Sequence, residues 1–154
     1  MVHYAALMSL IVFTLISPMA QLHAQQAAQD NGSMSNRIHI TIGEKEFAAT
    51  LADNPTAEAF RRLLPLSITM SELNGNEKLF KLPANLPTQE SVPSSIQTGD
   101  LMLYGARTVV LFYKSFPTIY SYTRIGRIDD PAGLAVAVGS DSVALKFDAA
   151  RANP

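Results

Sequence analysis

The most informative stretch of the sequence for the fold is residues 37–56, RIHITIGEKEFAATLADNPT. The first six of them alternate isoleucine with polar side chains, and a period of two is typical of a strand with one buried face. Glycine and glutamate then predict a turn, after which residues 45–51 resume the alternation. The two segments therefore predict a β-hairpin.

The hairpin is followed at once by a helix start. Asp53 and Asn54 precede Pro55. An Asp or Asn side chain caps free helical amides, and proline suits the first helical position. Apolar residues recur from Ala57 to Leu64 at helical spacing, and a proline then ends the pattern. We expect one short helix between the two prolines.

Most of the remaining chain predicts short strands, at residues 66–73, 77–82, 100–104, 108–114, 120–128 and 142–147. We interpret Asp129 and Asp130 as caps of a second short helix, near residues 134–138. The proline-rich residues 83–97 have no period and predict a long loop over one face. Because no βαβ alternation occurs, the sequence predicts a mainly β fold: a closed eight-stranded barrel capped by two short helices.

The first 24 residues contain no Asp, Glu, Lys or Arg. Residues 5–20 form an apolar run that is short for a membrane span, which needs about 20 residues. With the small residues near its end, this run predicts a secretory signal peptide. We expect cleavage after Ala24, or alternatively after Ala20, and hence a periplasmic or secreted protein.

Two other interpretations of this leader stay open. The residues before the apolar run lack Lys and Arg, so the segment could instead remain as an N-terminal anchor, the only membrane contact that we expect. A buried core helix is the other alternative. The predicted organisation is a signal peptide at residues 1–24, a flexible tether at 25–36, the domain at 37–148 and a disordered tail at 149–154.

The composition excludes several classes of function. A net charge of −1 over 154 residues argues against binding nucleic acid through a basic surface. The chain has no cysteine, which excludes disulfides, Cys-based zinc sites and thiol nucleophiles within it. His39 is the one histidine after the leader, and no phosphate-binding loop or nucleophile motif occurs. We therefore predict no catalytic residue, no metal site and no cofactor.

Aromatic residues are concentrated in one region. The chain has seven Phe and five Tyr residues, and six of these twelve lie between residues 104 and 122. Tyr combines a large apolar area with a hydroxyl group, which suits a groove for a peptide or small molecule. These residues could instead be barrel core and cross-strand pairs. We predict a ligand-binding set in which arginine holds a carbonyl or carboxylate group: Tyr113, Phe116, Tyr120, Tyr122 and Arg124.

Several tracts resemble cyclophilins. In residues 47–63, FAATLADNPTAEAFRRL, a strand ends in a Pro-Thr helix start that is followed by a Phe. Residues 125–138, IGRIDDPAGLAVAV, are similar to the Phe-Gly-Lys-Val strand of cyclophilins and the helix after it. With GDLMLYG at 99–105 and FYKSF at 112–116, the order of the tracts resembles small bacterial cyclophilin-like proteins over residues 37–148.

The resemblance implies a cyclophilin-like β-barrel and leaves two functions open. In cyclophilins, which are prolyl isomerases, an arginine in a Phe-His-Arg tract donates to the prolyl nitrogen and lowers a barrier of about 20 kcal/mol. The corresponding residues 67–82 contain no Arg or His, and their lysines, Lys78 and Lys81, do not reproduce a planar guanidinium. We expect an exported domain that binds an extended peptide or small molecule without catalysis. The alternative is a divergent prolyl isomerase acting on exported proteins.

Overall fold

Ten strands and two short helices occur in the computed structural model, which describes residues 35–150. The strands are β1 (Arg37–Ile42), β2 (Lys45–Leu51), β3 (Leu66–Leu73), β4 (Glu77–Lys81), β5 (Ser95–Ile96), β6 (Asp100–Tyr104), β7 (Thr108–Phe112), β8 (Phe116–Pro117), β9 (Thr123–Ile128) and β10 (Val143–Ala149). The helices are α1 (Pro55–Arg61) and α2 (Leu134–Val138).

Eight of these strands close into an antiparallel barrel, in the order β1, β10, β3, β4, β7, β6, β9, β2. The predicted barrel with two short helices is therefore confirmed. The predicted leader, nearly all of the tether and residues 151–154 lie outside the described residues. Neither helix within residues 35–150 has the length and hydrophobicity of a transmembrane span.

The opening hairpin forms as predicted because its alternation matches the two faces of the barrel wall. Ile38, Ile40 and Ile42 are buried in the interior. Because side chains alternate along a strand, the polar residues of β1 face outward. Its backbone is hydrogen-bonded on both edges, to β2 and to β10. The hairpin thus brings the two ends of the domain together.

Helix α1 covers the barrel interior through a buried aromatic residue. The side chain of Asn54 accepts a hydrogen bond from the Ala57 amide at 2.8 Å, which caps the helix as predicted. Phe60 is fully buried and meets Phe147 of β10 edge to face, with 5.5 Å between ring centroids. The helix ends at Arg61, earlier than the apolar spacing predicted, and Leu63 is 41% exposed.

The predicted capping role of Asp129 and Asp130 is wrong. Helix α2 begins after Gly133, and no side chain caps it. The Asp129 carboxylate instead accepts hydrogen bonds from Arg37 at 2.8 Å and from Thr50 at 2.7 Å, while Asp130 accepts one from the Ala132 amide. Asp129 therefore fastens the end of β9 to the opening hairpin.

A small outer layer, formed by residues 91–97 and 116–122, was not predicted. The long loop contains β5, which pairs with β8, and neither two-residue strand was predicted. Strand β9 begins at Thr123, not at Tyr120, because Tyr122 leaves the barrel wall and bridges to Ser91 of the long loop. The aromatic region is thus split between the barrel and a layer lying against its outer face.

Candidate functional site

Strand alternation divides the apolar residues of β6 and β7 between two clusters. Leu101, Leu103, Val109 and Leu111 belong to the barrel interior. Their neighbours point outward and, with residues of the outer layer, form a second hydrophobic cluster: Ile96, Met102, Val110, Phe112 and Tyr122, with Leu79 and Phe116 packed against it. This second cluster explains why β7 is apolar on both faces.

A groove of about 340 Å³ lies beside the second cluster, and its volume is within the usual range of ligand pockets. We call it the outer groove. It is lined by Leu73, Asn74, Asn76, Glu77, Leu79, Tyr104, Thr108, Val110, Phe116, Tyr120 and Tyr122. Strands β4, β6 and β7, the turn between β3 and β4, and the outer layer all contribute to it.

The aromatic rings of the outer groove form a connected series from the protein interior to solvent. Tyr122 is buried and meets Phe112 edge to face at 5.5 Å between ring centroids. Tyr104 lies 5.7 Å from Tyr122 and 6.5 Å from Tyr120. Because Tyr104 and Tyr120 are 50% and 59% exposed, their ring surfaces remain accessible to a ligand.

One carboxyl group lies among these rings. Glu77 pairs with Phe112 across β4 and β7, lines the outer groove and is only 9% exposed. No described residue donates a hydrogen bond to its carboxyl group or forms an ion pair with it. Burial, and then repulsion by Glu72, raise the pKa of Glu77 above its ordinary value. The buried Oδ1 atom of Asn76, also in the lining, accepts no hydrogen bond from the described residues.

Tyr113, from the predicted ligand-binding set, lies in the barrel interior rather than in the outer groove. It continues the inward-facing series of Val109 and Leu111 beyond the end of β7. Its hydroxyl donates to both oxygens of Glu72, at 2.9 and 3.0 Å. Burial and this carboxylate raise the pKa of Tyr113 to about 12.

A buried lysine completes this interior network. Lys78 has no exposed surface, and its Nζ atom donates to Glu72 at 2.5 Å and to the Asp141 carbonyl oxygen at 2.6 Å. Burial by itself raises the pKa of Glu72, but hydrogen bonds from Lys78, Tyr113 and the Gly75 amide outweigh it, so the pKa lies below its ordinary value. No pattern in the sequence indicated this network. The one available signal was the position of Lys78 on the same strand face as Phe80.

Arg124 also lies away from the outer groove. Its Nη1 atom donates to Asp100 at 3.1 Å, and Asp100 is buried at the start of β6. The other oxygen of Asp100 accepts a hydrogen bond from the Gln97 amide at 2.9 Å. Arg124 therefore helps to hold the end of the long loop against the barrel wall.

The predicted set is thus divided between three places. Phe116, Tyr120 and Tyr122 come together in the outer groove, whereas Tyr113 faces the interior and Arg124 pairs with Asp100. The groove adds Tyr104 and the polar residues of the β3–β4 turn. Its described lining contains no Lys, Arg or His. No group of three or more potential metal ligands occurs within residues 35–150.

The comparisons with known proteins agree with this architecture. The solution structure of the hypothetical protein AF2241 from Archaeoglobus fulgidus is similar, with a TM-score of 0.57 at 18% sequence identity. The match covers 78% of this chain and 98% of that one. No curated protein matches the sequence. A family model, described as the cyclophilin-like family, matches residues 40–148, which is more than half of the chain. The chain therefore belongs to the cyclophilin-like family.

Proposed function

We propose that the chain is an exported binding domain that holds an extended peptide in the outer groove without changing it chemically. The observation that carries this proposal is one groove that joins four aromatic rings with the carboxyl group of Glu77 and the unsatisfied Oδ1 atom of Asn76. Apolar walls with a few converging polar atoms are the usual composition of a ligand site.

The arrangement of the rings supports binding because the groove is already formed. Tyr104 contacts both Tyr120 and Tyr122, and Tyr122 packs in turn against Phe112. Side chains that are held in place before binding lose less conformational entropy when the ligand arrives. Such a groove requires little rearrangement to receive an apolar peptide segment.

The polar atoms of the groove favour a ligand that donates hydrogen bonds. The carboxyl group of Glu77 and the Oδ1 atom of Asn76 are both acceptors. The Asn76 atom is buried and unpaired, and leaving such an acceptor without a donor costs about 1–3 kcal/mol. An extended peptide presents amide donors together with apolar side chains, which matches both parts of the lining. A small molecule with the same donors is the alternative occupant.

The charge of the lining supports binding without catalysis. Cyclophilin-type catalysis uses an arginine that donates to the prolyl nitrogen, and the described lining of the outer groove contains no cationic side chain. Arg124 is held by Asp100, at the beginning of β6. A divergent isomerase would need a donor of another kind.

The N-terminal leader supports export. Its apolar run is followed by small residues, and no charged residue occurs before residue 30. N-terminal sequencing of the protein from a bacterial periplasmic fraction should give a chain beginning at Gln25. An intact leader on protein that stays with the membrane fraction would contradict cleavage and favour an anchor.

Peptide titration followed by NMR tests the binding proposal. We expect amide signals of groove residues to shift on adding short X-Pro peptides, while prolyl cis/trans exchange stays at its uncatalysed rate. Tyr120→Ala should weaken binding, whereas Ile119→Ala, an exposed neighbour outside the lining, should not. Accelerated exchange would favour the isomerase, and unchanged spectra would contradict peptide recognition.

A further inference from the structure

The outer groove holds a buried negative group without a counter-charge. Glu77 is nine-tenths buried among aromatic rings, and no described residue offers it a hydrogen bond or an ion pair. Partial burial of an ionised carboxylate without a partner is unfavourable, because some of the water that would solvate the charge is removed. The groove is therefore missing a donor that a ligand can supply.

Three cationic residues of β4 and β9 are paired with other carboxylates. Lys78, the next residue of β4, points into the barrel and is paired with Glu72. Arg124 and Arg127 of β9 both approach the buried carboxylate of Asp100, at 3.1 and 3.9 Å. Glu77 is the one charged residue in the described lining of the groove, and no ion pair within residues 35–150 includes it.

We propose that the outer groove receives the cationic side chain of a lysine or arginine within an extended peptide. This inference rests on the proposed function and names the residue that the peptide must contain. The head group of that residue donates to the carboxylate of Glu77, and its hydrocarbon stem lies along Leu79 and Val110.

The tyrosine rings also favour a cationic side chain in the groove. A cation over the face of an aromatic ring is attracted by the negative charge density of that face. Tyr104 and Tyr120 present half-exposed rings at the groove, and the buried Tyr122 lies next to them. A carboxylate together with several aromatic rings is a combination that binds ammonium and guanidinium groups in preference to neutral ones.

Other ligand chemistries fit the groove less well. An acidic side chain would be repelled by Glu77, and a neutral apolar side chain would leave its carboxylate buried and unpaired. The predicted role of Arg124 as the anchor for a ligand carbonyl or carboxylate group implies the opposite polarity, but Arg124 does not line this groove.

Calorimetric titration with matched peptides tests the inference. One extended peptide is made with lysine, norleucine or glutamate at its central position, and a second with arginine or citrulline. We expect the lysine and arginine peptides to bind at least about tenfold more tightly than their neutral counterparts. N-acetyl-lysine amide, a small molecule with the same head group, should bind far more weakly than the lysine peptide.

Two variants that each remove one negative charge show whether the preference for lysine depends on Glu77. Glu77→Gln removes the carboxylate from the groove and should abolish the preference for lysine over norleucine. Glu44→Gln, in the exposed β1–β2 turn, should leave that preference unchanged.

Equal affinity of the lysine and norleucine peptides would overturn the inference while leaving the peptide groove intact. Tightest binding of the glutamate peptide, or a preference that survives Glu77→Gln, would overturn it as well. If N-acetyl-lysine amide bound as tightly as the peptide, the peptide assignment would be wrong. Binding of no peptide at all would overturn this inference and the proposed function together.

Discussion

Glu77 and Lys78 are consecutive residues of β4 whose side chains lie on opposite faces of the barrel wall. Lys78 is enclosed in the interior and neutralised by Glu72, whereas Glu77 lines the outer groove without a cationic partner. The two opposite charges of this dipeptide therefore do not pair with each other. The Lys78 cation is paired on the inner face, and the Glu77 anion is unpaired on the outer face. This separation gives the groove its negative character.

Replacing Glu77 by Gln should stabilise the unliganded protein at neutral pH. Because the folded-state pKa of Glu77 is raised, the unfolded chain loses this proton at lower pH than the folded protein does. The contribution of Glu77 to the stability of the fold is therefore present below about pH 4.5 and is lost as pH rises through the folded-state pKa. Denaturant unfolding at pH 4 and pH 8 should show the gain from Glu77→Gln at pH 8 only.

Glu44→Gln is the control for this experiment, because Glu44 is exposed and forms no ion pair with a described residue. A loss of stability on Glu77→Gln at pH 8 would show that the carboxylate has a partner in solution, and would contradict its unpaired state.

Replacing Glu72 by Gln should have the opposite effect. This substitution leaves Lys78 buried without its carboxylate, and breaking a buried ion pair costs about 3–5 kcal/mol. Because the pKa of Glu72 is lowered, its stabilising contribution is present above about pH 4.5 and is lost as pH falls through the folded-state value. Urea unfolding curves at pH 7 measure the loss.

The double variant Glu72→Gln with Lys78→Met separates pairing from packing. We expect it to recover much of the stability, since an apolar chain of similar length replaces the uncompensated charge. If the two losses were simply additive, the ion pair would not be the source of the effect.

Binding of a lysine peptide should weaken as pH falls from 7.5 to the ordinary glutamate pKa of 4.5. The ionised form of Glu77 attracts the ammonium group, and its raised pKa brings protonation closer to neutral pH. The charged or titratable groups around it are Glu72 of β3, Tyr104 of β6, and Tyr113, Tyr120 and Tyr122 of the segment after β7. Calorimetry across this range should give a slope that Glu77→Gln abolishes; a slope unchanged in that variant would assign the titration to another group.

A pair of substitutions at apolar residues tests where helix α1 ends. Phe60 is fully buried against Phe147, so Phe60→Ala should cost about 3–5 kcal/mol. Leu63 lies beyond the end of the helix, and because it is 41% exposed, Leu63→Ala should cost less than about 1 kcal/mol. Similar losses for the two variants would indicate that the helix continues to Leu64, as the sequence pattern alone predicts.

The architecture could be predicted because alternation in this chain mostly matches burial. In β1 and β2 each apolar residue of the pattern faces the barrel interior, and the Asn-Pro pair starts a helix through its own side chain. The two-residue strands β5 and β8 were missed because they are too short to show a period. Asp129 was misinterpreted because its partners, Arg37 and Thr50, are distant in sequence.

The groove was harder to predict than the barrel. Residues 109–113 are all apolar or aromatic, so the sequence does not show that Phe112 faces outward while Tyr113 faces inward. That assignment depends on the pairing register of β7 with β4 and β6. Nothing in the sequence indicated that Glu77 is buried, because a charged residue at the start of a strand is ordinarily exposed to solvent.

Mapping a bound lysine-containing peptide by NMR on the isotope-labelled protein tests the outer groove as the binding site. We expect shifts concentrated at Asn76, Glu77, Tyr104 and Tyr122, with intermolecular contacts between the lysine side chain and the tyrosine rings. Shifts concentrated elsewhere, for example at the cleft beside α1 that Leu51 and Glu58 line, would contradict the outer groove as the binding site. The absence of any shift at millimolar peptide would contradict peptide binding itself.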